Sequence, residues 1–258
     1  MYAVAIRQPR LLITSIFAPS PWNRSWYTLQ RKFIGATADA DVRHTVYLNG
    51  VTPELVGDDV ALAGQSATNE GHSAALGAVI DMFRKSDRDY FLILDSDCFP
   101  IRANWFNVLT QQMGTLRKRF AAPVRVENLD LFPHPSAFFM TSDSVRDPRL
   151  NFDLGHAAPN LIGDPVTDVG SGMAGLLPDL LPLLRTNVRN LHPVGAAIYH
   201  HLFYHHGAGS REFRFRVTHR YDYYAHWWNT GRDADLGETL TRELFAAPEQ
   251  FLDALTKS

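Results

Sequence analysis

The sequence predicts an α/β protein built on a mixed, mainly parallel sheet flanked by helices. Three observations carry this prediction. Leu11–Phe17 and Asp89–Leu94 contain short, continuous apolar runs, the mark of strands buried on both faces. Arg24–Ile34 and Asn69–Phe83 place apolar residues at helical spacing between those runs. Turn signals punctuate the series at Ala18-Pro-Ser-Pro and at Asn49-Gly50. Alternating strands and helices of this kind form parallel sheets with helices on both faces. Ligands then sit beyond the carboxyl ends of the strands, which singles out residues 18–24, 49–53 and 95–100.

Taken in order, Leu11–Phe17 is the first strand. The helix over Arg24–Ile34 has Trp26, Leu29, Phe33 and Ile34 in one stripe. His44–Leu48 is β-rich and stops at Asn49-Gly50. The helix over Asn69–Phe83 gathers Ala74, Ala75, Ala78, Val79, Met82 and Phe83 on one face. Tyr90-Phe-Leu-Ile-Leu then runs into Asp95 as a buried strand. The second half is less regular. Ala121–Val126 and Ala137–Met140 read as strands, Asp168–Leu184 as a helix interrupted by Pro178 and Pro182, and Arg211–Val217 as a half-exposed strand after a Gly207–Arg211 loop. Pro248–Thr256 reads as a terminal helix with Pro at its first position. No clean linker interrupts the chain. We therefore expect one domain over residues 1–258, with a nucleotide-binding half to about residue 100 and an acceptor-binding half, ending in the terminal helix, over 101–258.

The 258 residues are enough for a full core. Twenty-five Lys and Arg against 27 Asp and Glu give a net charge of −2, which offers no reason to expect nucleic acid as a partner. The single cysteine, Cys98, excludes an intrachain disulfide and a Cys-rich zinc site. Together with the lack of an apolar stretch near the roughly 18 residues of a membrane span, this points to a cytoplasmic protein without a transmembrane segment. Arg7 and Arg10 before Leu11-Leu-Ile faintly imitate a signal peptide, but the apolar stretch is too short and reads as a strand.

Asp95-Ser-Asp97 follows directly on a buried strand. Two carboxylates one residue apart converge on one hard cation when the chain turns, and Pro100 helps it to turn. Oxygen ligands suit Mn²⁺ or Mg²⁺. The plainer alternative is an acidic turn before a helix that begins near Ala103.

Tyr90-Phe-Leu-Ile-Leu-Asp-Ser-Asp-Cys-Phe-Pro100 resembles the DXD segment of the GT-A glycosyltransferases, enzymes with a Rossmann-like fold. Ile13-Thr-Ser-Ile-Phe17 resembles their first nucleotide-binding strand and Thr45-Val-Tyr-Leu-Asn-Gly-Val51 their second. Asn69-Glu-Gly-His-Ser-Ala-Ala-Leu-Gly77 resembles the Asn-x-Gly stretch before the DXD strand. The match covers about the first 100 residues, and the resemblance is to inverting transferases of the family-two type. It implies a nucleoside diphosphate sugar donor, UDP-linked by preference, and a hydroxyl acceptor on a glycan or glycoconjugate. It further implies Asp95 and Asp97 as ligands of the metal that bridges the diphosphate, and Asn49 and Asn69 at the nucleotide. The family commonly has Asp where this chain has Asn49, which leaves the base open.

Asp164-Pro-Val-Thr-Asp-Val-Gly170 resembles an acceptor-side Asp-x-Gly segment. The resemblance implies Asp168, with Asp164 in reserve, as the base that takes the acceptor's proton. An N-cap for the following segment is the competing reading of Asp168. Four histidines, His200, His201, His205 and His206, precede Gly-Ala-Gly-Ser-Arg211. The resemblance implies His206 or His205 as a further metal ligand, and Ser210 and Arg211 on a loop that contacts phosphate, where the planar guanidinium fork pairs well. His201 and His205, four apart, would instead share a helix face in a zinc site. Tyr221, Tyr223, Tyr224, Trp227 and Trp228 form an aromatic cluster that reads mostly as core.

Two alternatives stand beside the glycosyltransferase. One is a nucleotidyltransferase acting on sugar phosphates, against which the glycine-free loop Ala18–Arg24 counts. The other is a catalytically inactive module that binds nucleotide sugars.

Overall fold

A computed structural model describes residues 7–56, 61–187, 196–207 and 232–257, with side chains from 239 onward in the last segment. A seven-stranded sheet forms the framework. In chain order its first four strands are β1 (Arg10–Phe17), β2 (Asp41–Asn49), β3 (Ala61–Ser66) and β4 (Tyr90–Asp95). β5 (Cys98–Pro100) leaves this sheet; β6 (Phe120–Pro123) and β7 (Ala137–Thr141) return to it. After a two-stranded hairpin of β8 (Ala158–Pro159) and β9 (Pro165–Val166), β10 (Leu180–Leu183) completes it. The spatial order is β10-β6-β7-β4-β1-β2-β3. β1 pairs in parallel with β2 and β4, β2 with β3, and β10 with β6; β7 alone runs antiparallel to its neighbours β4 and β6. The fold is therefore the expected mixed, mainly parallel α/β sheet.

Helices α1 (Asn23–Thr37), α2 (His72–Phe83) and α3 (Trp105–Leu116) cover it. Side chains alternate across a strand, and the two faces sort accordingly. Leu12, Ile16, Phe91, Ile93, Phe138 and Met140 meet Ala75, Leu76, Val79, Ile80 and Phe83 of α2. Leu11, Ile13, Leu92, Leu94, Ala137 and Phe139 meet Trp105, Phe106, Leu109 and Met113 of α3. Trp26, Leu29 and Phe33 of α1 pack on Phe17, Val46 and Leu48. Each of the Val, Leu, Ile, Phe and Met side chains among them, once buried, contributes roughly 1.5–3 kcal/mol.

The chain passes from β1 outward to β2 and β3 and then crosses back to β4 on the other side of β1. The strand order thus reverses between β1 and β4, and a crevice opens beyond the carboxyl ends of strands at such a point. β11 (Ala197–Tyr199) and β12 (Phe203–His205) form an antiparallel hairpin that adds β5 as its third strand. Two terminal helices follow, α4 (Arg232–Ala246) and α5 (Pro248–Lys257), the latter starting on the expected proline.

Two expectations need correction. α2 begins at His72 rather than Asn69, because Gly71, at φ +85°, turns the chain just before it. The segment expected as a helix over Asp168–Leu184 is a 3₁₀ stretch, Ser171–Asp179, followed by β10. Pro178 and Pro182 lack the amide hydrogens an α-helix needs, and Pro182 is tolerated because β10 is an edge strand. β3 and the short strands β5, β8, β9, β11 and β12 carry no periodicity that marks them in the sequence. Arg211–Val217 and the cluster from Tyr221 to Trp228 lie outside the described residues.

Candidate functional site

Asp95 ends β4 at the crevice, and its amide donates to Ser136 O at 3.0 Å. The chain turns through Ser96 and Asp97 and returns as β5. β12 pairs with β5 so that His205 lies opposite Cys98, and the His206 amide donates to Asp97 O at 3.0 Å. This register brings His205 to the acidic turn. Its Nε2 lies 3.8 Å from Asp95 Oδ2 and 3.6 Å from Asp97 Oδ1. One ligand atom from each of Asp95, Asp97 and His205 falls within 4.8 Å of the other two.

Those separations fit a single ion. At the ~2.1 Å bond length of a small divalent cation, ligand atoms stand about 3 Å apart at right angles and about 4.2 Å apart when opposed. Two carboxylates and an imidazole suit Mn²⁺ or Mg²⁺ in donor type, and three protein ligands leave positions open. Asp97 and His205 are buried, and Asp95 is partly so.

His206 faces elsewhere, as strand alternation requires. Its Nδ1 is 2.7 Å from Tyr204 Oη and its Nε2 2.9 Å from Thr241 Oγ1, beside the Trp26 ring. The structure thus brings His205, and not His206, to the aspartates. The shared helix face of the zinc alternative does not form. His201 is in a left-handed turn at φ +56°, and His205 is in a strand.

The sequence reading missed His72, in the first turn of α2. Its Nε2 is 3.0 Å from Asp95 Oδ1, which engages one carboxylate oxygen while the other faces His205. Burial works against charge on both partners. Even so, Asp95 draws the His72 imidazole above its ordinary pKa, aided by Asp168 and Asp97. His72 in turn holds the Asp95 carboxyl below its usual range, aided by His205 and Arg125. Each of the two groups therefore favours the charged form of the other.

Asp168 sits beyond them. Arg125 Nη2 donates to its Oδ2 at 2.6 Å and the Val169 amide to its Oδ1 at 2.7 Å. Ser171 Oγ accepts from the Asp168 amide at 3.1 Å. The expected cap does not form: Gly170 is the N-cap of the 3₁₀ segment and no side chain caps it, so the Asp168 carboxylate, three residues before the segment, is held by Arg125 and the Val169 amide instead. Arg125, also missed from the sequence, reaches Asp130 Oδ2 at 2.7 Å. Burial opposes the guanidinium charge, but Asp130 and Asp168 outweigh it and raise its pKa. One guanidinium serves two carboxylates, and the deeper one carries the cost. Burial raises Asp130 to about 6 in spite of Arg125, with Asp168 adding to the rise. Asp164 is exposed in the β8–β9 hairpin, its amide donating to Asn160 Oδ1 at 2.9 Å, apart from this network.

Asn49 is buried at the end of β2, and both ends of its amide are engaged. Nδ2 donates to Asn69 Oδ1 at 3.0 Å and Gly71 O at 3.2 Å, while Oδ1 accepts from the Glu70 amide at 3.0 Å. It pins the Asn69–Gly71 loop rather than offering a free edge. Gly50 at φ +73° lets that loop approach, since a Cβ there would lie 2.6 Å from the Asn69 nitrogen. Ser210 and Arg211 lie outside the described residues.

No protein-family model and no curated protein matches the chain. Among solved structures, it is similar to the mannosyltransferase PcManGT from Pyrobaculum calidifontis in complex with GDP-Man and Mn²⁺, with 12% identity, TM-score 0.43 and coverage of 59% of this chain and 49% of that one. It is also similar to residues 1–349 of S. aureus TarS, with 11% identity, TM-score 0.40 and coverage of 56% and 50%. A longer S. aureus TarS structure gives 10% identity and TM-score 0.44, covering 67% of this chain and 35% of TarS. The chain therefore spans half or less of the length of each of these proteins. Among the described residues, no helix is long and apolar enough to cross a membrane.

Proposed function

We propose that the chain is a metal-dependent glycosyltransferase that moves a sugar from a nucleoside diphosphate sugar to a hydroxyl acceptor. The observation that carries this reading is the convergence of Asp95, Asp97 and His205 at the carboxyl edge of β4, where the strand order reverses. In this reading Asp95, Asp97 and His205 hold Mn²⁺ or Mg²⁺. When bound, such an ion neutralises charge on a diphosphate leaving group.

The remaining roles fall to side chains. Asp168 takes the proton of the acceptor hydroxyl as the sugar carbon is attacked from the opposite side, so the reaction inverts that carbon. Arg125 and the Val169 amide fix its two oxygens, and each oxygen keeps a lone pair for the acceptor. Asp164, exposed and separate, is the weaker choice. Ser210 and Arg211 clamp the diphosphate. Asn49 acts at the nucleotide end through the loop it holds, with Asn69 on that loop. The favoured donor is a UDP-sugar and the acceptor a glycan or glycoconjugate.

A thermal-shift panel of UDP, GDP, ADP and CDP, each with and without Mn²⁺, tests the donor and metal together. We expect one diphosphate to raise the melting temperature with Mn²⁺ and to do so far less without it. Indifference to every nucleotide under both conditions removes the reading, and turnover of a sugar phosphate with a nucleoside triphosphate replaces it. Asp168→Asn separates a base from a purely structural partner of Arg125. We expect turnover to fall by at least about a hundredfold with donor affinity unchanged. A variant that only melts earlier leaves Asp168 as a structural partner of Arg125.

A further inference from the structure

Gln30 lies in α1, wholly buried, and its chemistry is directed at the acidic turn. Its Nε2 donates to Asp95 O at 2.9 Å and to Cys98 O at 2.7 Å. These carbonyls bracket the turn that carries Asp97. Backbone groups hold the other points, with the Asp95 amide on Ser136 O and Asp97 O on the His206 amide. Gln30 is thus a side-chain clamp across both ends of the same four residues.

The clamp has a cost. Gln30 Oε1 is buried with no hydrogen-bond partner, and a buried acceptor left unsatisfied costs about 1–3 kcal/mol. An apolar side chain of similar length would remove that cost but also the donors that both carbonyls take, so the unmatched acceptor accompanies a bond to each end of the turn. We infer that Gln30 is a positioning residue for the metal-binding turn: it fixes the backbone from Asp95 to Cys98 so that both carboxylates face His205. This rests on the metal reading above.

Gln30→Met keeps length and bulk and removes both donors. Mn²⁺ binding to the folded, metal-free protein, followed by the EPR signal of the free ion, should weaken by about tenfold or more, the size of effect expected from losing a buried hydrogen-bond anchor. The concentration of Mn²⁺ that half-saturates turnover should rise in parallel. A mere brace would lower the melting temperature and leave Mn²⁺ affinity as in the wild type, and that result overturns the inference. Wild type and Asp97→Asn run alongside. Tight binding by the first and none by the second establish the site independently of Gln30; a wild type that ignores Mn²⁺ overturns the metal reading itself and this inference with it. Should Gln30→Met not fold, the side-chain amide resonances of Gln30 in the wild type carry the test during a Mg²⁺ titration. They should be protected from exchange and shift at the same Mg²⁺ concentration as the Asp97 amide. Unprotected resonances, or ones that do not move, overturn the inference.

Discussion

Asp97→Asn should abolish Mn²⁺ binding and lower turnover by roughly a thousandfold or more, because a bound divalent ion supplies several kcal/mol of charge stabilisation at a leaving diphosphate. The substitution keeps the shape of the side chain, so packing around the buried turn is preserved. In the metal-free fold two contributions oppose each other, since Asp97 is attracted to His72 and His205 and repelled by Asp95. Asp95 and Asp97 have carboxylate oxygens within 4.8 Å of each other, and like charges that close repel in a partly desolvated site. With both contributions removed together, the melting temperature without metal should change little, while the rise brought by Mn²⁺ disappears. Calorimetry with and without Mn²⁺, set beside turnover, reads both halves. Turnover within tenfold of wild type would take Asp97 out of the metal site. A melting temperature several degrees lower without metal would make the aspartate a structural element of the turn.

The framework was legible in the sequence because burial on both faces leaves an unmistakable trace. The Tyr90–Leu94 run and the Asn49-Gly50 stop placed β4 and the end of β2 correctly, and the acidic pair at the strand tip followed from them. What stayed hidden depends on register and on distance along the chain. His205 and His206 are adjacent and chemically identical; only the pairing of His205 with Cys98 decides which one faces Asp97, and three-residue strands leave no periodicity to reveal it. Gln30 sat unremarked within a correctly placed helix, since its hydrogen bonds reach residues more than sixty positions away. His72 appeared only as a letter in the Asn-x-Gly stretch, and its meaning arises when the start of α2 meets the tip of β4. Arg125 lies in a loop after β6 and finds Asp168 forty-three residues later. The 3₁₀ segment was mistaken for a helix because Met173, Leu176 and Leu180 keep a nearly helical spacing while the prolines forbid the hydrogen bonds.

Gly170 ties the two sides of the site together, and Gly170→Ala tests that tie. Its backbone, at φ −92° and ψ −13°, is one that alanine adopts freely, so any effect comes from space alone. A Cβ there would lie 1.9 Å from Pro133 O and 3.0 Å from Phe132 Cδ2. Relief requires a shift of more than ~1 Å, since carbon and oxygen normally approach no closer than about 3.2 Å, and packed interiors resist such shifts. The carbonyl has little freedom. The His134 amide that follows it donates to Pro123 O at 2.7 Å, and Ser136 O takes the Asp95 amide. The other partner is the segment that carries Asp168, two residues upstream. Whichever side yields, the carboxylate read as the base or the backbone beside the acidic turn moves. Overpacking of this kind costs about 1–3 kcal/mol, or roughly 2–12 °C in a chain of this size, and a misplacement near 1 Å costs about a hundredfold in rate. Gly114→Ala is the matched control. It lies in α3 with nothing within 4 Å of the added methyl, and alanine in a helix should hold or raise stability. If Gly170→Ala melts and turns over like Gly114→Ala, the contact between the Asp168 segment and Pro133 is not what sets the spacing of the site.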